Sequence, residues 1–270
     1  MSNFKALALD LDGTTLVGED LPAANKVALQ KAHAAGYQII VATARWIQMA
    51  QRVADEVGVN SVAIACSGAQ VRDLQRDVDI FDHRLPADFV DELYQVCNAQ
   101  RCIATVTVSD HVWLKLDGEP ARDLMGPEMQ WVRQLSTEHD NLPRIAAIQG
   151  TAVCNYIKDE MKPRYADRVN VFDSIGPTGK LVITITAKAA SKGAALQAAC
   201  DHLDIPTGQV VAFGDAENDL AMFDLAGFSV AMGQAAADIK AAADFISKAN
   251  YEDGVAHAID RLLAGNLLAG

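Results

Sequence analysis

Residues 6–15 read Ala6-Leu7-Ala8-Leu9-Asp10-Leu11-Asp12-Gly13-Thr14-Thr15, an apolar run that ends in two carboxylates, a glycine and two hydroxyls. An uninterrupted apolar run of this length predicts a strand buried on both faces, as in a parallel sheet covered by helices. Positions i and i+2 of a strand point the same way, so Asp10 and Asp12 address one site while Leu11 packs behind them. Gly13 lets the backbone turn sharply directly after the pair.

Outward from this run the same rhythm continues. Apolar residues at helical spacing over 22–35 (Val27, Leu29, Ala32, Ala35) stop at Gly36, and residues 37–42 form a second continuous apolar strand. A helix over about 46–57 and a buried strand over 61–66 follow. The C-terminal part alternates likewise: helix 191–203, strand 209–213, helix 217–225, strand 228–231, helix 235–242. Both ends therefore belong to one α/β domain with a doubly wound parallel sheet.

The middle reads differently. A hairpin-like pair lies within 71–80, a helix runs from Pro86 to about Gln100, and residues 103–108 and 112–116 alternate like an antiparallel hairpin split by Ser109-Asp110-His111. A helix near 120–135, a strand at 144–149, a helix at 151–161 and strands near 169–174 and 180–186 complete an α+β module. The predicted organisation is a discontinuous core, 1–82 and 186–270, with an inserted domain at 83–185.

Composition bounds the function. The 270 residues carry 23 Lys plus Arg and 35 Asp plus Glu, a net charge of −12. No basic cluster offers phosphate backbones a footprint, which excludes a nucleic-acid binder, and an anionic bilayer would repel the chain. No apolar run approaches the ~18 residues needed to span a membrane. Cys66, Cys97, Cys102, Cys154 and Cys200 are scattered without a CxxC pair, which predicts reduced, mostly buried thiols and no zinc site. Met1-Ser2-Asn3-Phe4-Lys5 runs into the first strand without a signal-peptide core, so a cytoplasmic location is expected.

Ligands of open parallel sheets lie beyond the carboxyl ends of the strands. After the predicted strands stand Asp10-Leu11-Asp12-Gly13-Thr14-Thr15, Thr43-Ala44-Arg45, Ser67-Gly68-Ala69 and Gly214-Asp215-Ala216-Glu217-Asn218-Asp219. These clusters share one edge of the sheet. Such residues suit phosphoryl transfer, but a phosphate and a carboxylate ~4 Å apart repel by ~4 kcal/mol per charge pair at an effective dielectric of 20. With Asp215 and Asp219 close by, the site needs a cation, and hard oxygen ligands select Mg²⁺ over zinc. Lys192, after Ser191 as predicted N-cap, would add a fixed positive charge at a helix N-terminus.

Asp10-Leu11-Asp12-Gly13-Thr14, Thr43, Lys192 and Gly214-Asp215-x-x-Asn218-Asp219 resemble the four motifs of the haloacid dehalogenase superfamily. Val230-Ala231-Met232-Gly233 and the large insertion resemble its Cof-type phosphatases with a C2B cap, and the resemblance spans nearly the whole chain. It implies that Asp10, the backbone carbonyl of Asp12 and Asp215 hold Mg²⁺, with Asp219 orienting its waters. It also implies that Asp10 attacks phosphorus to form an aspartyl-phosphate, and that Asp12 protonates the leaving oxygen and then activates water. That second role calls for a raised pKa, expected from partial burial and a neighbouring carboxylate. Thr43, Ala44, Lys192 and Asn218 would bind the substrate phosphate. The implied activity is hydrolysis of small phosphorylated metabolites, with a sugar-phosphate phosphomutase as the alternative and a phospho-accepting signalling or metabolite-binding module further behind.

Three positions depart from the family pattern: Ala44 within Thr-Gly-Arg, Ser67 where Asn often precedes Gly-Ala, and Gln234 where Asn follows Met-Gly. Other motifs fail on spacing. Gly176-Pro177-Thr178-Gly179-Lys180 lacks the first glycine and the Ser/Thr of a phosphate loop and reads as a turn. His33, His83, His111, His139, His202 and His257 form no metal or triad arrangement, while His111 and Trp113 lie where the inserted domain could meet substrate. Neither substrate identity nor oligomeric state follows from these residues.

Overall fold

The computed structural model describes residues 3–59, 62–118, 120, 125–136, 141–175 and 180–267. It divides into two compact units, Met1–Phe81 with Ser191–Gly270, and Asp82–Ala190. In the first unit, β1 (Ala6–Asp10), α1 (Ala23–Ala34), β2 (Gln38–Ala42), α2 (Ile47–Val57) and β3 (Val62–Ala65) follow in order. All five residues of β1 are buried, as its continuous apolar run requires. Gly58 ends α2 in the left-handed conformation, at no Cβ cost. β4 (Gln70–Asp73) turns back antiparallel on β3, and β5 (Val78–Asp82) completes that edge.

The second unit holds α3 (Ala87–Ala99), β6 (Ile103–Val108), β7 (His111–Lys115), β8 (Met129–Val132), β9 (Ile145–Gln149), α4 (Thr151–Tyr156), α5 (Lys162–Arg164), β10 (Val169–Ile175) and β11 (Leu181–Ala187). Between α4 and α5 the helical path widens into a π-type turn, Ile157–Met161. The sheet order is β10-β11-β9-β6-β7-β8, antiparallel except that β8 runs parallel to β7. One face carries the helices: Phe89, Leu93 and Cys97 of α3 and Val153, Cys154 and Ile157 pack with Ala104, Val106, Ile148, Ile183 and Ile185. The helix expected near 120–135 is corrected in its described part, where residues 129–132 form a strand. Pro127 bars a helix from continuing through it, and the edge of β7 offers Gln130, Trp131 and Val132 backbone partners. The turn at 176–179 lies outside the described residues.

The chain then re-enters the first unit with α6 (Lys192–Leu203), β12 (Val210–Gly214), α7 (Leu220–Phe223), β13 (Phe228–Ala231), α8 (Ala237–Ala241), β14 (Phe245–Ile246) and α9 (Gly254–Leu263). The helix expected over 217–225 is shorter, its first turn being the 3₁₀ segment Glu217–Asp219. The strand order is β14-β13-β12-β1-β2-β3-β4-β5, with parallel pairing from β14 through β3. This is the doubly wound α/β sheet. β1 lies at its centre, between β2 and β12. Among the described residues no helix is long and apolar enough to cross a membrane.

Candidate active site

β1 delivers Asp10 as its last residue, level with Ala42 of β2, while Leu9 is level with Phe213 of β12. Connections diverge on either side of this strand, the position where open parallel sheets bind ligands. Asp10 is buried, and its Oδ1 accepts a hydrogen bond from Lys192 Nζ at 2.5 Å. The same ammonium donates to Asp219 Oδ1 at 2.6 Å. Lys192 is the first residue of α6, and the Ser191 hydroxyl accepts from the Ala194 amide at 3.0 Å, the N-cap the sequence predicts.

Two glycines set how closely these segments meet. A Cβ on Gly68 would lie 2.2 Å from the Ser191 carbonyl, so only glycine lets the loop after β3 approach the start of α6. A Cβ on Gly13 would lie 2.3 Å from Asp215 Oδ2, and φ there is +80°. Thr14 meanwhile donates its hydroxyl to Asp215 Oδ1 at 3.0 Å, and the Thr15 hydroxyl donates to the Asp10 carbonyl at 2.6 Å. Asp219 is fully enclosed, its Oδ2 accepting the Asp215 and Ala216 amides at 3.0 and 3.1 Å. It closes the turn that presents Asp215.

Burial raises the Asp10 carboxyl well above the ordinary range against the pull of Lys192, and Asp219 and Asp215 raise it further. Burial and then the Asp219 charge push Asp215 up to about 6. For Lys192 burial acts downward, but the attraction of Asp10 and Asp219 outweighs it and holds the ammonium charged. One oxygen from each of Asp10, Asp215 and Asp219 lies within 4.8 Å of the others. Among the described residues, Oδ2 of Asp10 and Oδ2 of Asp215 accept no hydrogen bond. Crowded, partly unpaired hard oxygens with one lysine between them fit a small divalent cation.

The other expected residues divide. Thr43 is buried, and its Oγ1 accepts the Arg45 amide at 3.1 Å, which leaves the hydroxyl proton for a ligand. Ala44 follows it without positive φ, so alanine adopts this backbone freely. Asn218 is half-buried, and its side-chain amide makes no hydrogen bond among the described residues. Asp12 does not join the carboxylate group. Its side chain is 42% exposed, and Arg45 grips both oxygens, Nε to Oδ2 at 2.9 Å and the NH2 nitrogen to Oδ1. The surroundings expected for Asp12, partial burial beside a carboxylate, are thus replaced by a guanidinium fork.

Arg45 also donates to Glu19 at 2.6 Å, joining the loop after β1 to that after β2. Sequence alone assigns Arg45 no role; its place directly after Thr43-Ala44 is the one available signal. Gln234 donates to the Gly13 carbonyl at 2.6 Å and accepts the Asn250 amide at 3.0 Å, while Asn250 donates to the Leu16 carbonyl at 2.8 Å. Asn25 likewise donates to the Thr15 carbonyl at 3.0 Å. No short-range spacing announces these clasps around residues 13–16. Ser67 sits at φ 55° and ψ 31°, a left-handed conformation that Asn tolerates better than Ser, which gives physical content to the departure there.

The family model of haloacid dehalogenase-like hydrolases matches residues 7–259. The chain is 27% identical over 259 residues to the 5-amino-6-(5-phospho-D-ribitylamino)uracil phosphatase YcsE of Bacillus subtilis (strain 168), covering 95% of each protein. It is 26% identical to the phosphatase YwpJ of the same organism, covering 96% of this chain and 100% of that one. A haloacid dehalogenase-like hydrolase from Bacteroides thetaiotaomicron shares the fold with a TM-score of 0.82 at 22% identity, over 96% of this chain and 99% of its own. A HAD subclass IIB sugar phosphatase superposes with a TM-score of 0.77 at 23% identity, over 96% and 98% of the two chains. The chain belongs to the haloacid dehalogenase-like hydrolase family, as a Cof-type phosphomonoester hydrolase.

Proposed function

We propose that the chain is a Mg²⁺-dependent phosphatase of small phosphorylated metabolites, sugar phosphates or similar phosphomonoesters, working through an aspartyl-phosphate on Asp10. The observation that carries this reading is the buried Asp10–Lys192–Asp219 chain with Asp215 beside it at the end of the central strand. Asp10, the backbone carbonyl of Asp12 and Asp215 would hold the cation, with Asp219 orienting its surroundings. When bound, Mg²⁺ supplies positive charge that offsets the repulsion between the phosphate and these carboxylates.

Asp10 offers Oδ2, the oxygen that Lys192 does not occupy, for in-line attack on phosphorus. An ammonium has three N–H donors; Lys192 spends two on Asp10 and Asp219, leaving the third for a phosphate oxygen. The Thr43 hydroxyl, the Ala44 segment and the Asn218 amide complete the phosphate contacts. Asp12 protonates the leaving oxygen and then takes a proton from the hydrolytic water, for which it must first leave the Arg45 fork. The inserted unit Asp82–Ala190 serves as the cap that selects the leaving group. The test is release of inorganic phosphate from a panel of phosphorylated metabolites, with and without a chelator. Metal-dependent phosphate release supports the proposal; isomerised sugar phosphate without phosphate release points to a mutase, and chelator-insensitive turnover contradicts the cation requirement.

A further inference from the structure

The inserted unit holds a second concentration of reactive groups that phosphate chemistry does not use. At the start of β6, Cys102 is 6% exposed and lines a cavity of about 500 Å³ whose wall also includes Arg101, Asp117, Gly150, Thr151 and Cys154. Lys115, the last residue of β7, is 3% exposed and brings Nζ to 3.7 Å from Cys102 Sγ. The ammonium's remaining contacts are the Gln100 carbonyl and Asp117 Oδ1, both at 3.3 Å. The Cys102 thiol donates at 3.5 Å to the backbone carbonyl of Cys97, in the last turn of α3, so the two buried cysteines lie side by side. Gly150 closes the arrangement: a Cβ there would lie 3.1 Å from that of Cys102.

A buried ammonium against a sulfur that borders a cavity stabilises thiolate, and a second cysteine at its side supplies a resolving partner. We infer that Cys102 is a peroxide-reactive thiol on the cavity wall, resolved by Cys97 to an intramolecular disulfide. The Cys102 thiolate attacks the terminal oxygen of a hydroperoxide; the S–O bond forms, the O–O bond breaks, and the departing alkoxide or hydroxide takes a proton from Lys115 or water. Cys97 sulfur then attacks the sulfenic sulfur, the S–S bond forms, and the oxygen leaves as water with the Cys97 proton. Two thiols are oxidised by two electrons, and the hydroperoxide is reduced to an alcohol or water. In the same direction, the neighbouring Cys97 thiol lowers the Cys102 thiol to about 7 despite burial, with Lys115 adding to it, whereas the Cys97 thiol is raised. Cys200, buried in the other unit with its thiol pushed up to about 11 by burial, serves as an internal control.

The test uses the full-length protein. Iodoacetamide labelling read by peptide mass should modify Cys102 first, with a rate midpoint near pH 7, and Lys115→Met should slow it about tenfold at that pH. The wild-type profile alone decides this point if Lys115→Met does not fold. Hydrogen peroxide should join the peptides containing Cys97 and Cys102, which trypsin separates at Arg101, and Cys97→Ser should instead accumulate a dimedone adduct on Cys102. Labelling of Cys102 no faster than of Cys200, or a Cys102 thiol untouched by peroxide, overturns the inference. A Cys102–Cys154 cross-link overturns the part assigned to Cys97.

Discussion

Each unit of this protein buries a lysine, and the two are buried for different ends. Lys192 is enclosed with two buried carboxylates, Asp10 and Asp219, at the edge of a parallel sheet. Lys115 is enclosed against a thiol and a carbonyl, and its carboxylate partner Asp117 is 40% exposed. Burying an ammonium costs several kcal/mol unless its partners are equally fixed. In the first unit that requirement ties three chain segments, 10, 192 and 219, into one charged group; in the second the charge is satisfied locally, within 100–117. The same residue type is therefore a long-range organiser in one place and a neighbour-tuning group in the other.

The comparison can be broken by substitution. The largest effect is expected for Asp10→Asn, which keeps the hydrogen bond to Lys192 in shape but removes the attacking oxygen; p-nitrophenyl phosphate hydrolysis should fall by about 10³-fold or more. Lys192→Met strands two buried carboxylates and should cost about 3–5 kcal/mol in urea unfolding, in addition to lost activity. Lys115→Met strands only a half-exposed carboxylate, and its unfolding cost should stay near or below about 1 kcal/mol. Equal losses for the two lysines would dissolve the distinction.

A third effect is set by pH. Asp215 titrates near 6 in the folded chain, above the ordinary carboxyl value, so its contribution to stability is complete below about pH 4 and is lost as pH rises through 6. The cation-free protein should lose roughly 1–3 kcal/mol over that window, and millimolar Mg²⁺ at pH 7.5 should recover much of it, read as a rise in Tm. A further effect lies away from both lysines. Burial acts upward on Asp73, but the Arg76 amide, His202 and the Arg76 guanidinium hold it down at about 2. Its stabilisation is present above about pH 4 and is lost as pH falls toward 2, a change of about 1–2 kcal/mol that Asp73→Asn should remove from the acid limb.

Legibility in the sequence followed the same division. The central strands of the first unit are buried on both faces, so their apolar runs stand out, and the polar residues after them mark the candidate site: Asp10, Thr43, Asp215 and Asp219 are visible by position, and Lys192 as the first residue of a capped helix. Ser191 as N-cap was legible because a cap is a local event. The strand at 129–132 was not, because its pairing depends on an edge offered by β7 and not on its own periodicity. Arg45 on Asp12 and Gln234 on Gly13 were hidden for a related reason: the partners are 33 and 221 residues apart, and no local pattern encodes such contacts.

Whether Asp10 accepts the phosphoryl group is read by acid-quenching the protein during turnover and measuring peptide masses. A phosphoryl adduct should appear on the peptide containing Asp10, present only when substrate and Mg²⁺ are supplied and absent from Asp10→Asn. Sustained phosphate release by Asp10→Asn, with no adduct on Asp10 in the wild type, would contradict it.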